Sequence, residues 1–263
     1  MKLHDQHVHT IYSADSMASL EEYYLKAQHL GCQYFVTTEH VDLDIAGKGV
    51  DWLADFSALK KHLEKIAIPY GPIPLLGIEL GYRKDLILRF QKIFEDNQFD
   101  IINLSVHDSG NSDYYYIDGF IEKGIKNTLR YYYQQMLEAI QNFDNFNVLS
   151  HINYGYKTVY KFDHNYDFFS DIDIIEKILV SLIKKQKALE INTKVADDLP
   201  IEHTINLLKL YKRLGGTKLT ISSDAHEVSR YLESFDKYLK IIKEIGFKYL
   251  CYYVAKKEKH FEI

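Results

Sequence analysis

The chain reads as one α/β domain, with parallel strands forming an inner barrel and helices covering the outside. Two observations predict that fold. Short runs rich in β-branched residues alternate with longer segments of helical period, and this alternation implies parallel pairing beneath covering helices. The chain also has 263 residues, 46% of them hydrophobic, a size at which single α/β barrels are common and one large core suffices. No linker, low-complexity tract or short-period repeat divides it, so residues 1–263 are taken as a single domain.

Leu3–Val8 reads as the first strand. Ser19 then opens a helix, Glu22 three residues on completes a capping-box pattern, and Gly31 ends it. Tyr34–Thr38 is the second strand, and Phe56–Ile66 a helix with a Lys/Glu-rich outer face. A proline-containing turn precedes the third strand, Ile73–Leu80, and a helix around Leu86–Phe94 leads to the fourth, Ile101–Val106. Thr128–Asn142 is helical and Asn147–Ser150 is strand five. The second half continues with a helix at Ile174–Lys185, a strand at Ala188–Ile191 and a helix at Pro200–Leu214 that has proline in its first turn. Gly215 and Gly216 break the chain before a strand at Lys218–Ser222, a helix at Phe235–Ile245 and a last strand at Tyr249–Val254. Segments 108–126 and 154–173 fit the alternation poorly. Both are long, aromatic and polar, as lids and binding walls are.

Composition narrows the function. Thirty-two Lys and Arg against 37 Asp and Glu leave a net charge of −5, which disfavours a broad nucleic-acid footprint. Two cysteines, Cys32 and Cys251, cannot build a disulfide framework, so a reducing cytoplasm is expected. Met1-Lys2-Leu3-His4-Asp5 begins without an apolar leader. No apolar run approaches the roughly 18 residues of a membrane span, so the protein is expected to be neither secreted nor membrane-embedded.

The 12 histidines carry the strongest signal. His7 and His9 end the first strand, and His40, His107, His151 and His226 each follow a later one. Glu79 closes strand three and Asp224 follows the penultimate strand. In a parallel barrel those C-terminal ends share one face, where groups from different strands converge. One histidine after a strand is ordinarily a hydrogen-bonded loop residue; recurrence at the same place in successive units points to metal. The other six (His4, His29, His62, His164, His203, His260) scatter and are assigned no chemistry. Asp15, ahead of the first helix, is a further candidate, although a turn or cap is an ordinary role for it.

The motifs His7-Val8-His9-Thr10 with Asp15-Ser16, Thr38-Glu39-His40, Gly77-Ile78-Glu79, Ser105-Val106-His107, Ser150-His151-Ile152 and Ser223-Asp224-Ala225-His226 resemble the polymerase and histidinol phosphatase (PHP) superfamily across almost the whole chain. Glu39-His40-Val41-Asp42 and Glu190-Ile191-Asn192-Thr193 look most like its stand-alone histidinol-phosphate phosphatases. The resemblance implies a distorted seven-stranded (β/α) barrel with three divalent metals. One would be held by His7, His9, Glu79 and Asp224, a second by bridging Glu79 with His107 and His151, and the third by Asp15, His40 and His226. It also implies hydrolysis of L-histidinol phosphate, releasing inorganic phosphate, within histidine biosynthesis.

The donor set supports the same chemistry. Imidazoles and carboxylates suit zinc, manganese or iron better than magnesium or calcium. Ten protein bonds over three metals leave positions open for water and substrate, as catalytic sites do. Three divalent ions against three carboxylates leave about +3, a field suited to a small phosphate monoester, with a metal-activated hydroxide as nucleophile. No protein general acid is assigned beyond Asp224 as a possibility. Arg83, four residues past Glu79, suits a bidentate phosphate contact, though a solvated surface role fits it as well. Lys157 and Lys161 lie where the family often places a basic phosphate-binding residue. Asp42 and Asn192 are placed to meet the amine or imidazole of histidinol, or to serve as a turn and a strand-end hydrogen bond. The competing readings are a PHP phosphodiesterase or exonuclease acting on nucleotides, a metal-binding module without catalysis, and an amidohydrolase-like barrel. The last usually relies on a metal-ligating lysine, and none ends a predicted strand in the corresponding place.

Overall fold

The computed structural model describes residues 3–263, so Met1 and Lys2 of the expected leaderless start lie outside it. Seven strands form one curled sheet: β1 (Tyr34–Asp42), β2 (Trp52–Leu53), β3 (Ile73–Gly81), β4 (Ile101–Ser105), β5 (Val148–Leu149), β6 (Ala188–Asn192) and β7 (Leu219–Ser222). Their order is β2-β1-β3-β4-β5-β6-β7, and every pair is parallel except the short β1–β2 edge. Burial on both faces explains their composition: all of β4, β5, β6 and β7 is buried, as near-continuous apolar runs in parallel sheets are. The result is a distorted half-barrel, as expected.

Helices α1 (Leu20–His29), α2 (Phe56–Ile66), α3 (Ile87–Asp96), α5 (Ile125–Asn142), α7 (Ile172–Lys184), α9 (Ile201–Arg213) and α10 (Phe235–Ile245) occupy the predicted helical segments. Their ends follow local chemistry. Ser19 Oγ accepts the Glu22 amide at 3.3 Å, and beyond α1 Gly31 adopts φ 70° while Cys32 N donates to Ala27 O at 2.9 Å. This left-handed closure favours glycine.

Three expectations change. Leu3–Val8 is not a strand. Only Val8 forms a bridge, to Ala225, because side chains take amides of the segment that a ladder would use. Thr38 Oγ1 accepts Val8 N at 2.9 Å and Asp5 Oδ1 accepts His7 N at 3.3 Å. The segment still lies between β1 and β7, with Thr38 N on Val8 O at 2.8 Å and His9 N on Ala225 O at 2.9 Å, so it closes the curl.

The last predicted strand, β8 (Tyr249–Val254), leaves the barrel and pairs antiparallel with β9 (Lys257–Glu262) in its own sheet. Cys251 and Tyr253 pack on Val36, Leu75, Ile101, Val148 and Ala188, all near the N-terminal ends of their strands. The hairpin therefore plugs the bottom of the barrel, and Asp100 pins its turn by accepting the Ala255 amide at 2.8 Å.

The two irregular segments also contain helices: α4 (Asp118–Lys123) in the first and α6 (Tyr154–Phe162) in the second, with α8 (Thr193–Asp197) following β6. Residues 155–159 are all buried, Lys157 and Thr158 included, so the polar positions of α6 do not mark a solvent face.

Tyr253 is 4% exposed and its hydroxyl is buried without a hydrogen-bond partner among the described residues. Replacing Tyr253 by Ala should cost about 3 kcal/mol, read as a lower urea midpoint. Tyr253→Phe should stay within about 1 kcal/mol of the parent or exceed it, because it removes an unsatisfied group.

Candidate metal centre

The C-terminal strand ends deliver the expected side chains to one place. β1 presents His40 and Asp42, β3 ends on Glu79, and His107, His151 and Asp224 follow β4, β5 and β7. The closing segment adds His7 and His9, and the loop before α1 adds Asp15. Asp224 has φ 51°, a left-handed conformation that a short polar side chain tolerates better than most.

Glu79, 1% exposed, is the hub. His7 Nε2 lies 3.1 Å, His9 Nε2 3.3 Å and His40 Nδ1 3.3 Å from its Oε2. On the other oxygen, Oε1, His151 Nε2 lies at 2.6 Å and His107 Nε2 at 3.1 Å, with Ser105 Oγ donating at 2.5 Å. Asp224 Oδ1 is 3.4 Å from His9 Nε2 and 4.0 Å from His7 Nε2. Asp15 Oδ2 meets His226 Nε2 at 3.0 Å and His40 Nε2 at 3.4 Å. The structure thus brings together all nine side chains that the sequence reading put in the cluster.

Electrostatics shape their protonation. Burial alone would lower His7, yet Glu79, Glu190 and Asp224 hold it well above the ordinary imidazole range. Burial opposes His40 too, but the adjacent Asp15 and Asp42 carboxylates and the Glu79 charge raise it to about 10. His9 moves down through burial and its neighbours His40 and His226. Burial would raise Asp224, but Lys194 and His7 hold it well below the usual range. Asp224 therefore stands ionised, a form suited to binding a cation or accepting a proton rather than to donating one.

Further side chains fix these donors. Glu190, buried on β6, accepts from His7 Nδ1 at 2.7 Å and from the His151 amide at 2.7 Å. Glu39 on β1 accepts from Ser13 Oγ at 2.6 Å and Thr10 N at 3.1 Å, tying down the loop that carries Asp15. Asp42, expected at the substrate, lies between the rear nitrogens of two ligand candidates, 2.7 Å from His107 Nδ1 and 2.9 Å from His40 Nδ1. It leaves room for no side chain at Gly81, where a Cβ would overlap Asp42 Oδ1. Asn192 donates to Asp224 Oδ2 at 3.2 Å and caps α8 by accepting Val195 N at 3.0 Å.

Above the cluster opens a cavity of about 360 Å³, lined by Asp42, Asp108, Asp113, Tyr115, Lys157 and Lys194 among others. A larger cleft of about 650 Å³, between α2, α3 and the hairpin turn, contains none of the clustered residues. Two basic expectations fall outside the cavity lining. Arg83 pairs with Asp85 at 2.6 Å and Asp44 at 3.2 Å, and Lys161 pairs with Asp198 at 2.7 Å. The buried Lys157 instead faces the cavity, its Nζ 4.7 Å from the Tyr154 ring. Lys194, 3.1 Å from His226 Nδ1 and 3.5 Å from Asp224 Oδ1, was missed. It lies two residues beyond β6, where the strand-end rule that found the histidines would also have found it. Glu190 was visible as an acid within a wholly buried strand.

The sequence pattern of the PHP domain matches residues 5–194. The chain belongs to the PHP domain family. It is 30% identical over 261 residues to the histidinol-phosphatase of Lactococcus lactis, covering 95% of this chain and 94% of that one. The crystal structure of Lactococcus lactis histidinol phosphate phosphatase, complexed with zinc, L-histidinol and phosphate, superposes with a TM-score of 0.86. That match has 27% identity and covers 97% of this chain and 98% of that one. A Listeria monocytogenes structure, 17% identical with a TM-score of 0.72 over 89% of this chain and 99% of that one, shares the fold.

The donors of this PHP domain fit divalent cations. His7 Nε2 and His9 Nε2 are buried without a hydrogen-bond partner among the described residues, and both aim at Glu79 Oε2 and Asp224 Oδ1. Buried nitrogens so placed are costly unless a proton or a cation reaches them. Gly81→Ala and Asp42→Asn should each weaken metal retention roughly 10–100-fold in competition with a chelator, because the rear nitrogens of His40 and His107 lose their carboxylate. Metal retention equal to the parent in both variants would show that Asp42 does not orient them.

Proposed function

We propose that this PHP domain is a metal-dependent phosphatase acting on L-histidinol phosphate, releasing L-histidinol and inorganic phosphate. The observation that carries the reading is the polarity of the cavity over the cluster. Lys157 and Lys194 line it together with Asp108 and Asp113, so cationic and anionic side chains share one small cavity above the donors. A substrate carrying both a phosphate and a cationic amine matches that mixed lining. The Lactococcus lactis relative, solved with zinc, L-histidinol and phosphate, supports the same choice.

In this reading His7, His9, Glu79 and Asp224 hold one cation, Glu79 with His107 and His151 a second, and Asp15, His40 and His226 the third. Bound zinc, manganese or iron would supply Lewis acidity and an activated water for in-line attack at phosphorus. That water would give its oxygen to phosphorus as the ester P–O bond breaks, and the proton it loses would balance the one gained by the departing alkoxide. Lys157 and Lys194 hold the phosphate oxygens, and Asp108 and Asp113 receive the amine or imidazole. Tyr154, whose ring lies 5.3 Å from His107 and 5.1 Å from His151, walls the reacting end from solvent. Arg83 and Lys161 have no part in these contacts.

Steady-state kinetics on enzyme of measured metal content tests the assignment. L-Histidinol phosphate should exceed a panel of phosphomonoesters, including p-nitrophenyl phosphate, by at least about a hundredfold in kcat/KM, nearly 3 kcal/mol. Faster turnover of bis-p-nitrophenyl phosphate or short single strands would favour the phosphodiesterase reading instead. Glu79→Ala should abolish turnover while the chain stays folded.

Burial, with Lys194 nearby, pushes the Lys157 ammonium down to about 8. It is charged below that pH and neutral above it, so KM for the phosphate ester should climb as pH rises through 8. Lys157→Arg should flatten that limb, because guanidinium stays charged. Lys157→Met should raise KM roughly 10–100-fold at pH 7, as expected for a lost charged hydrogen bond. A pH profile unchanged in Lys157→Arg would remove Lys157 from the phosphate site.

A further inference from the structure

A second set of metal-capable donors lies at the opposite end of the barrel, on the hairpin that plugs it. Register pairs Cys251 of β8 directly with His260 of β9, and Glu258, two residues before His260, shares its face. Cys251 Sγ is 3.7 Å from Glu258 Oε1 and His260 Nε2 is 2.7 Å from the same oxygen. All three ligand atoms fall within 4.8 Å of one another.

Their surroundings are built rather than casual. Lys218 Nζ, itself bonded to Gln186 O at 3.2 Å, holds the other carboxylate oxygen of Glu258 at 2.7 Å, which leaves Oε1 directed at the sulfur and the imidazole. The Tyr249 ring stacks on His260 with centroids 4.3 Å apart and limits its rotation. Cys251 is buried and His260 exposed, so the three donors meet at the edge of the packed hairpin, within reach of solvent.

We propose that Cys251, Glu258 and His260 form a separate cation site that takes a zinc-class ion and clips the C-terminal hairpin together. Sulfur, imidazole and one carboxylate oxygen select a borderline-soft ion over magnesium or calcium. Tetrahedral zinc with bonds of roughly 2.0–2.3 Å places its donors roughly 3.3–3.8 Å apart. The sulfur–oxygen pair already has nearly that separation. His260 needs to withdraw by less than about 1 Å, giving up the proton it shares with Glu258 to make room for the ion, and Cys251 releases its thiol proton to solvent as it binds as the thiolate. Binding there stabilises the folded hairpin by mass action, independently of the centre around Glu79.

Cobalt(II) distinguishes the two sites, because Cys251 is the sulfur donor of this one and the nine clustered side chains at the other end contain none. Full-length protein dialysed against a chelator is titrated with cobalt(II) and followed by absorption. The expected result is a near-ultraviolet thiolate-to-cobalt charge-transfer band, in addition to the visible bands of cobalt in the main centre. The band should persist in Cys32→Ser and vanish in Cys251→Ser, whose visible bands report that it remains folded. His260→Ala should need at least about tenfold more cobalt to develop it. Visible bands without the charge-transfer band in the parent protein, or its survival in Cys251→Ser, would overturn the proposal.

Discussion

Burying Glu79 among five imidazoles, at separations of 2.6–3.3 Å, sets the terms for the rest of the molecule. An ionised carboxylate taken out of water costs several kcal/mol unless positive charge accompanies it. The surrounding histidines must therefore carry protons or hold cations, and the fields on His7, His40 and His107 all point that way. No single strand can supply so many donors to one point. The barrel must close to do it, and the irregular segment of Asp5 to His9 completes the circuit between β1 and β7. Its failure to become a regular strand has the same origin: Asp5 and Thr38 occupy its amides, and its inward side chains are aimed at the cluster instead of repeating along a ladder.

Around the donors lies a layer of groups that do no more than hold them. Glu190 grips His7 from behind, Asp42 grips His40 and His107, and Glu39 fastens the loop bearing Asp15. Each of these carboxylates is buried, and Glu39 and Glu190 each accept from several donors. Such orientation fixes which ring nitrogen faces the centre and raises its basicity as a ligand. Gly81 belongs to the same layer although it has no side chain, since its bareness is what lets Asp42 stand between two strands.

What the sequence made legible follows from residue rarity and position. Histidine is uncommon, so its recurrence after successive strands stood out, and Glu79 and Asp224 were carried by the same rule. Lys194 obeys that rule too, but lysine is frequent on helices and gave no contrast. Arg83 shows the converse. Its proximity in sequence to Glu79 suggested the substrate, whereas the chain turns it away into Asp44 and Asp85 after β3. Lys157 and Lys161 stand four residues apart on one face of α6, so periodicity could not choose between them; depth does, since Lys157 is buried and Lys161 exposed. In the fold, β8 looked like another barrel strand because an apolar run records burial and not the identity of the partner. Only the turn at residues 255–256, with both residues at positive φ, distinguishes a hairpin from a crossover there.

The use of lysine beside the cavity has a consequence for how a phosphate would be handled. Arginine grips two oxygens in a fixed plane, while an ammonium is a compact point charge that can follow an oxygen as geometry changes. Lys157 is held from below by Tyr154 at 4.7 Å and Tyr115 at 5.7 Å, so its charge is positioned by ring faces rather than by a paired carboxylate. That arrangement keeps the ammonium uncommitted in the resting protein, unlike Lys161, whose charge is already taken by Asp198. Lys194 is partly committed, since Asp224 lies 3.5 Å away. The two lysines are thus unequal: one is held in reserve by burial, and the other is tethered to the carboxylate that would also hold a cation. In the proposed reading, a phosphate that engages Lys194 competes with Asp224 for its charge, whereas one that engages Lys157 displaces no carboxylate, so the second lysine ties substrate binding to the electrostatics of the centre.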